Sequence, residues 1–113
     1  MPPRNWQLRL NDILNSIEKI KTYAKGMDEK TFVSDGKTMD AVIHNLTVLG
    51  EAVAHIPDEV QKKYPSLPWP QMKRIRNVLV HEYYKLNPPT LWKTITNDLP
   101  PVEKALREIL KDK

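Results

Sequence analysis

The chain has 113 residues, of which 40% are hydrophobic and 28% charged, and it contains no cysteine. That length suits one domain with its own core, and the composition is globular rather than disordered. The missing thiols exclude a disulfide framework, thiolate metal ligation and a cysteine nucleophile, while a net charge of +4 points mildly to an anionic partner.

No apolar run reaches the roughly 18 residues of a membrane span. The opening residues Met1-Pro2-Pro3-Arg4-Asn5 lack the apolar stretch of a signal peptide. The expectation is a cytoplasmic protein that does not engage a membrane.

Ten prolines punctuate the sequence. Proline breaks helix interiors but is accepted at helix starts, so its clusters mark off helix-length pieces. No β-alternation is sustained and no internal repeat is present. The first piece, Arg4 to Ala24, places Trp6, Leu10, Ile13, Leu14, Ile17 and Ile20 on one helix face, and Gly26 ends it. Asp28 is placed to cap a short turn through Phe32 and Val33.

The second helix is predicted over Lys37 to His55, stopping before Pro57. Met39, Val42, Ile43, Leu46, Leu49 and Val53 form its stripe, widened by Ala41, Val48 and Ala52. It is expected to be the most buried helix. Its polar residues make one narrow line: Asp40, His44, Thr47 and Glu51 fall at i, i+4, i+7 and i+11, with His55 following.

Asp58 opens a short turn that ends at Pro65. A third long helix starts at Pro68-Trp69-Pro70 and carries Met72, Ile75 and Leu79. The fourth starts at Asn87, an N-cap, with Pro88 at the first helical position, and carries Leu91, Trp92 and Ile95. Pro100 and Pro101 after Asp98 predict a kink or a new helix, which continues through Val102, Leu106 and Ile109. The result is an all-α antiparallel four-helix bundle with a short extra helix, one domain over 1–113. Trp6, Trp69 and Trp92 fit its apolar stripes and helix starts better than base-stacking platforms.

The charge is local. Between Gln61 and His81 lie Lys62, Lys63, Lys73, Arg74 and Arg76, with no Asp or Glu. That segment carries +5, so the rest of the chain sums to −1. It runs into Arg76-Asn77-Val78-Leu79-Val80-His81-Glu82-Tyr83-Tyr84. Histidine exchanges protons near neutral pH, and arginine stays charged and fits phosphate. Together they suffice for metal-independent RNA cleavage, in which the ribose 2′-OH attacks the adjacent phosphate. A helix end with capping or surface residues is the plainer reading of the same stretch.

At about 100° per residue, Arg76 and His81 lie roughly 140° apart, while Arg76 and Tyr83 nearly coincide. One straight helix therefore does not aim Arg76 and His81 at a common spot. Unwinding near His81, a long reach by the arginine, or a second protomer would each resolve this. The third makes a symmetric dimer attractive.

Arg76-x-x-x-x-His81-x-Tyr83 resembles the R-x-x-x-x-H-x-Y signature of the HepT-like toxins of the HEPN superfamily. The stretch Asp40 to Ala52, ending in Gly50-Glu51-Ala52, resembles the family's second-helix block. Lys63-Tyr64-Pro65-x-x-Pro68-Trp69 resembles its linker, and Trp92 through Pro100 its last-helix block. The resemblance implies a four-helix HEPN homodimer acting as the ribonuclease toxin of a toxin–antitoxin pair. Arg76 and His81 would be catalytic, meeting across the dimer cleft. The antitoxin would be a minimal nucleotidyltransferase that moves AMP from ATP onto Tyr83; Tyr84 follows directly, and motif alignment alone selects Tyr83. An adduct there places bulk and negative charge beside the cationic site.

In the same frame Asn77 occupies the polar position after the arginine, where it holds a phosphate or orients a side chain. Lys73 and Arg74 are placed to track an RNA backbone. The polar line on the second helix admits a metal reading through Asp40, His44, Glu51 and His55, since i, i+4 pairs share a face. No ligand motif is complete, so no metal and no cofactor is expected. A buried polar network is the favoured expectation, with Glu51 orienting Arg76 or bridging protomers. Two other functions compete: a catalytically inactive HEPN scaffold or nucleotide-binding partner of a nucleotidyltransferase, and a ligand-binding bundle built on the second helix.

Overall fold

The structure is a computed structural model that describes residues 6–81 and 87–111, with the backbone alone over 78–81. Among these residues every regular element is helical. In chain order they are α1 (Trp6–Ala24), α2 (Glu29–Val33), α3 (Gly36–Ala54), α4 (Asp58–Lys63), α5 (Trp69–His81), α6 (Pro88–Lys93), a π-helical turn (Thr94–Asp98) and α7 (Leu99–Lys111).

Local chemistry sets the boundaries. α1 ends because Gly26 adopts φ +79°, a left-handed conformation that costs glycine little. Asp28 and Thr31 then form a reciprocal cap on α2. The Thr31 N–H donates to Asp28 Oδ1 at 2.8 Å, and the Asp28 N–H donates to Thr31 Oγ1 at 3.0 Å. Asp35 caps α3 by accepting from the Thr38 N–H at 3.1 Å, so this helix starts one residue before the predicted Lys37. His55 closes it: its Nδ1–H donates to the Glu51 carbonyl at 2.8 Å.

The last helix is one run with a defect in it. Pro100 and Pro101 have no N–H to give to the carbonyls four residues back. The chain responds by widening one turn, so that the Leu99 N–H donates to the Thr94 carbonyl, five residues back. This is the predicted kink, realised as a π-bulge. The buried residues Leu91, Ile95 and Leu99 are spaced four apart through the wide turn, which keeps one apolar face continuous from α6 into α7.

α3 is the central helix, packed against α1 on one side and α5 on the other, while α7 lies along α1. Leu10, Ile13 and Ile17 of α1 and Val42, Leu49 and Val53 of α3 are all fully buried in one core. Phe32 is buried between α3 and α6, with its ring 5.1 Å from that of Trp92. Trp69 is buried and its Nε1–H donates to the Tyr64 carbonyl at 3.0 Å. Trp6 stacks at a tilt on Tyr64, 5.8 Å between centroids. All three tryptophans are thus committed to packing. No helix among the described residues is long and apolar enough to cross a membrane.

Candidate active site

The site begins with a glycine. Gly50 lies where α3 and α5 cross, and a Cβ built on it would fall 2.1 Å from Arg76 Cβ, 2.7 Å from its Cγ and 2.9 Å from its Cα. No side chain other than hydrogen fits there. The stem of Arg76 therefore rests on the α3 backbone. An isolated glycine inside an otherwise strong helix pattern signals such an approach, although the Gly50-Glu51-Ala52 motif does not by itself name what approaches.

The next residue on α3 takes hold of the arginine. Arg76 donates from Nε to Glu51 Oε2 at 3.1 Å, and Nη2 lies 3.1 Å from the same oxygen. A contact between Glu51 and Arg76 is therefore present within one chain. The pair is only partly covered, with 32% of the Arg76 side chain and 45% of the Glu51 side chain exposed.

Other candidates on α5 separate by face. Lys73 is one turn before Arg76 and Asn77 one turn after Lys73, so the two share a face of α5, and both are exposed. Arg74 is displaced from Lys73 by about 100° around the helix. It lines a different feature, a cavity of about 310 Å³ between α3, α5 and the last helix that is walled mainly by apolar residues such as Leu46, Met72 and Leu91. The two cations proposed to track RNA thus do not share a face.

α5 stays helical through His81, so the chain does not unwind before that residue, and the separation of roughly 140° between Arg76 and His81 stands. The guanidinium is turned onto α3 by Glu51, which leaves it no reach around α5. The His81 side chain, Tyr83 and Tyr84 lie outside the described residues.

The polar line on α3 differs from the buried network expected of it. Asp40, His44 and His55 are exposed, Thr47 and Glu51 are half-buried, and Val48, assigned to the apolar stripe, is 37% exposed at its edge. The reason is placement: α1 and α5 cover the other faces of α3 and leave this one open. Thr47 donates back to the Ile43 carbonyl at 2.9 Å, so within the line only Glu51 has a partner on another helix among the described residues. The buried polar residue of α3 is Asn45, whose amide donates to the Ala41 carbonyl at 2.9 Å. Among the described residues no three His, Asp or Glu side chains gather as a metal site requires.

An all-α bundle carrying an oriented arginine on the helix of the R-x-x-x-x-H-x-Y motif has the form of a HEPN-type domain. Comparison with known proteins agrees. The model of the family described as ribonuclease HepT-like matches residues 13–109. A Methanocaldococcus jannaschii protein named as a candidate RNase is 38% identical over 112 residues, covering 99% of this chain and 93% of the relative. A Thermococcus cleftensis protein named "Probable ribonuclease HepT" is 34% identical over 102 residues, 90% of this chain and 93% of its own. No solved structure matches. The chain belongs to the HepT-like ribonuclease family.

Proposed function

We propose that the protein is a metal-independent endoribonuclease toxin that works as a homodimer. The observation that carries this reading is the Arg76 guanidinium, held by Glu51 yet partly open, on the helix of the family's motif. In the reaction a base takes the proton of a ribose 2′-OH, whose oxygen bonds to the adjacent phosphorus. The bond to the 5′-oxygen breaks, and an acid protonates that oxygen. The products are a 2′,3′-cyclic phosphate and a 5′-hydroxyl end. His81 is the proton carrier, and Arg76 stabilises the negative charge that grows on the phosphate. The regular course of the α5 backbone through His81 supports a site shared by two protomers, since positions 76 and 81 lie roughly 140° apart around one helix.

The expected antitoxin is a minimal nucleotidyltransferase that transfers AMP from ATP onto the Tyr83 hydroxyl, releasing pyrophosphate. The adduct's phosphate is then available to pair with Arg76 and block RNA.

The test uses purified, unmodified protein with RNA in the presence of a chelator. Wild type is expected to cleave, and Arg76→Ala and His81→Ala to lose about 100-fold or more. No cleavage by the wild type, or unchanged cleavage by the variants, overturns the nuclease reading and favours the non-catalytic scaffold. Mass spectrometry after incubation with the partner enzyme and ATP tests the acceptor: an adduct that persists in Tyr83→Phe excludes Tyr83.

A further inference from the structure

The manner in which Glu51 grips Arg76 says more than that the two are paired. A guanidinium has two forked edges. One is formed by Nε and Nη2, the other by Nη1 and Nη2. Glu51 uses a single oxygen, Oε2, to engage Nε and Nη2 together. The inner edge is thereby filled. Among the described residues nothing else bonds Arg76, and none of them occupies the outer edge, the fork that an anion would use.

We infer that Glu51 is a positioning residue for RNA cleavage: it occupies the inner edge of Arg76 so that the outer edge alone meets the scissile phosphate. This deepens the nuclease reading and rests on it. Three observations converge. Gly50 lets the arginine stem lie on α3, which fixes the base of the side chain. Glu51 is the next residue on that helix and fixes the tip. Its carboxylate also repels a phosphate approaching from the α3 side, leaving the outer fork as the favourable approach. A donor set held in place before substrate arrives needs no reorganisation in the transition state. The pair is too exposed for fold stability to be its main role.

The competing idea is that Glu51 mimics phosphate and must be displaced by RNA. The two make opposite predictions for Glu51→Ala. The positioning role predicts that kcat falls by up to about 100-fold, more than KM rises, at an unchanged thermal midpoint. Glu51→Gln, which keeps an acceptor oxygen for Nε–H, should recover most of the loss. A Glu51→Ala enzyme as fast as wild type, or faster, overturns it.

A readout independent of turnover is hydrogen exchange at Arg76 Nε–H, followed by NMR with and without a 2′-O-methyl RNA oligonucleotide, which binds but lacks the attacking hydroxyl. Protection is expected to persist when the oligonucleotide binds wild type, and to be absent in Glu51→Ala. Release of Nε–H by the oligonucleotide overturns the proposal. If wild type binds the oligonucleotide but cleaves nothing, the nuclease reading fails while exchange still decides what Glu51 does. If it neither binds nor cleaves, both fail.

Discussion

Gly50 and Glu51 act on Arg76 at different levels, one through packing and one through charge, and their substitutions separate accordingly. A methyl group at position 50 overlaps the Cα and Cβ of Arg76, neither of which can swing away, so α5 itself must shift. Gly50→Ala is expected to destabilise by about 1–3 kcal/mol, read as a lower urea midpoint. Gly36, with nothing within 4 Å of its built Cβ, is the control: Gly36→Ala should be neutral or stabilise by up to about 1 kcal/mol. The Arg76–Glu51 pair is solvent-exposed enough to contribute only about 0.5 kcal/mol. Changes at Glu51 should therefore leave the unfolding curve nearly in place while altering turnover.

At the scale of elements, short polar devices hold helices that the apolar stripes alone would leave free to slide. Glu103 of α7 lies between Lys21 of α1 at 3.1 Å and Arg107 at 2.9 Å, and Arg107 also pairs with Glu18 of α1. Burial pushes the Glu103 carboxyl up, but Arg107 and Lys21 outweigh it and hold the group below the ordinary glutamate value. Removing it should loosen α7 from α1 by on the order of 1 kcal/mol, measured by thermal unfolding of Glu103→Ala. Hydrogen bonds from the Thr31 backbone and side chain keep Asp28 below the usual aspartate value, and those of Thr38 do the same for Asp35. A depressed carboxylate stabilises the fold above its unfolded value and gives that up as pH falls through the folded one. The melting temperature is expected to decline below about pH 4. In Asp28→Asn/Asp35→Asn that decline should flatten, because asparagine caps a helix without titrating.

Across the whole molecule, the proline clusters and capping residues already prescribed the helix order. Asn87 caps α6 by accepting from the Thr90 N–H at 3.2 Å, and α3 is off by one residue at each end. The open face of α3 was not legible, because a stripe of polar residues reads alike whether a neighbour covers it or not. The Gly50 contact was hidden for a related reason: a glycine marks close approach without naming what approaches. For the site, the motif identified Arg76, and the helix periodicity sets positions 76 and 81 roughly 140° apart around the backbone of α5. Subunit mixing tests how that is resolved. If Arg76 of one protomer works with His81 of the other, inactive Arg76→Ala and His81→Ala chains mixed together should form heterodimers with one intact site. These would recover about half the activity of a wild-type dimer. No recovery from heterodimers verified by native mass spectrometry would exclude a shared site, and a monomer in sedimentation would exclude the dimer itself.

The π-turn carries a consequence for how this chain can change in length. A wide turn holds one residue more than an α-turn needs, so Thr94–Asp98 is an insertion stored inside a helix instead of in a loop. Deleting one residue there would restore a regular ladder and keep Leu99, Val102 and Leu106 on the face of Leu91 and Ile95, yet it would bring Pro100 and Pro101 into a helix interior that rejects them. The prolines thus hold the extra residue in place: it can be lost only together with them.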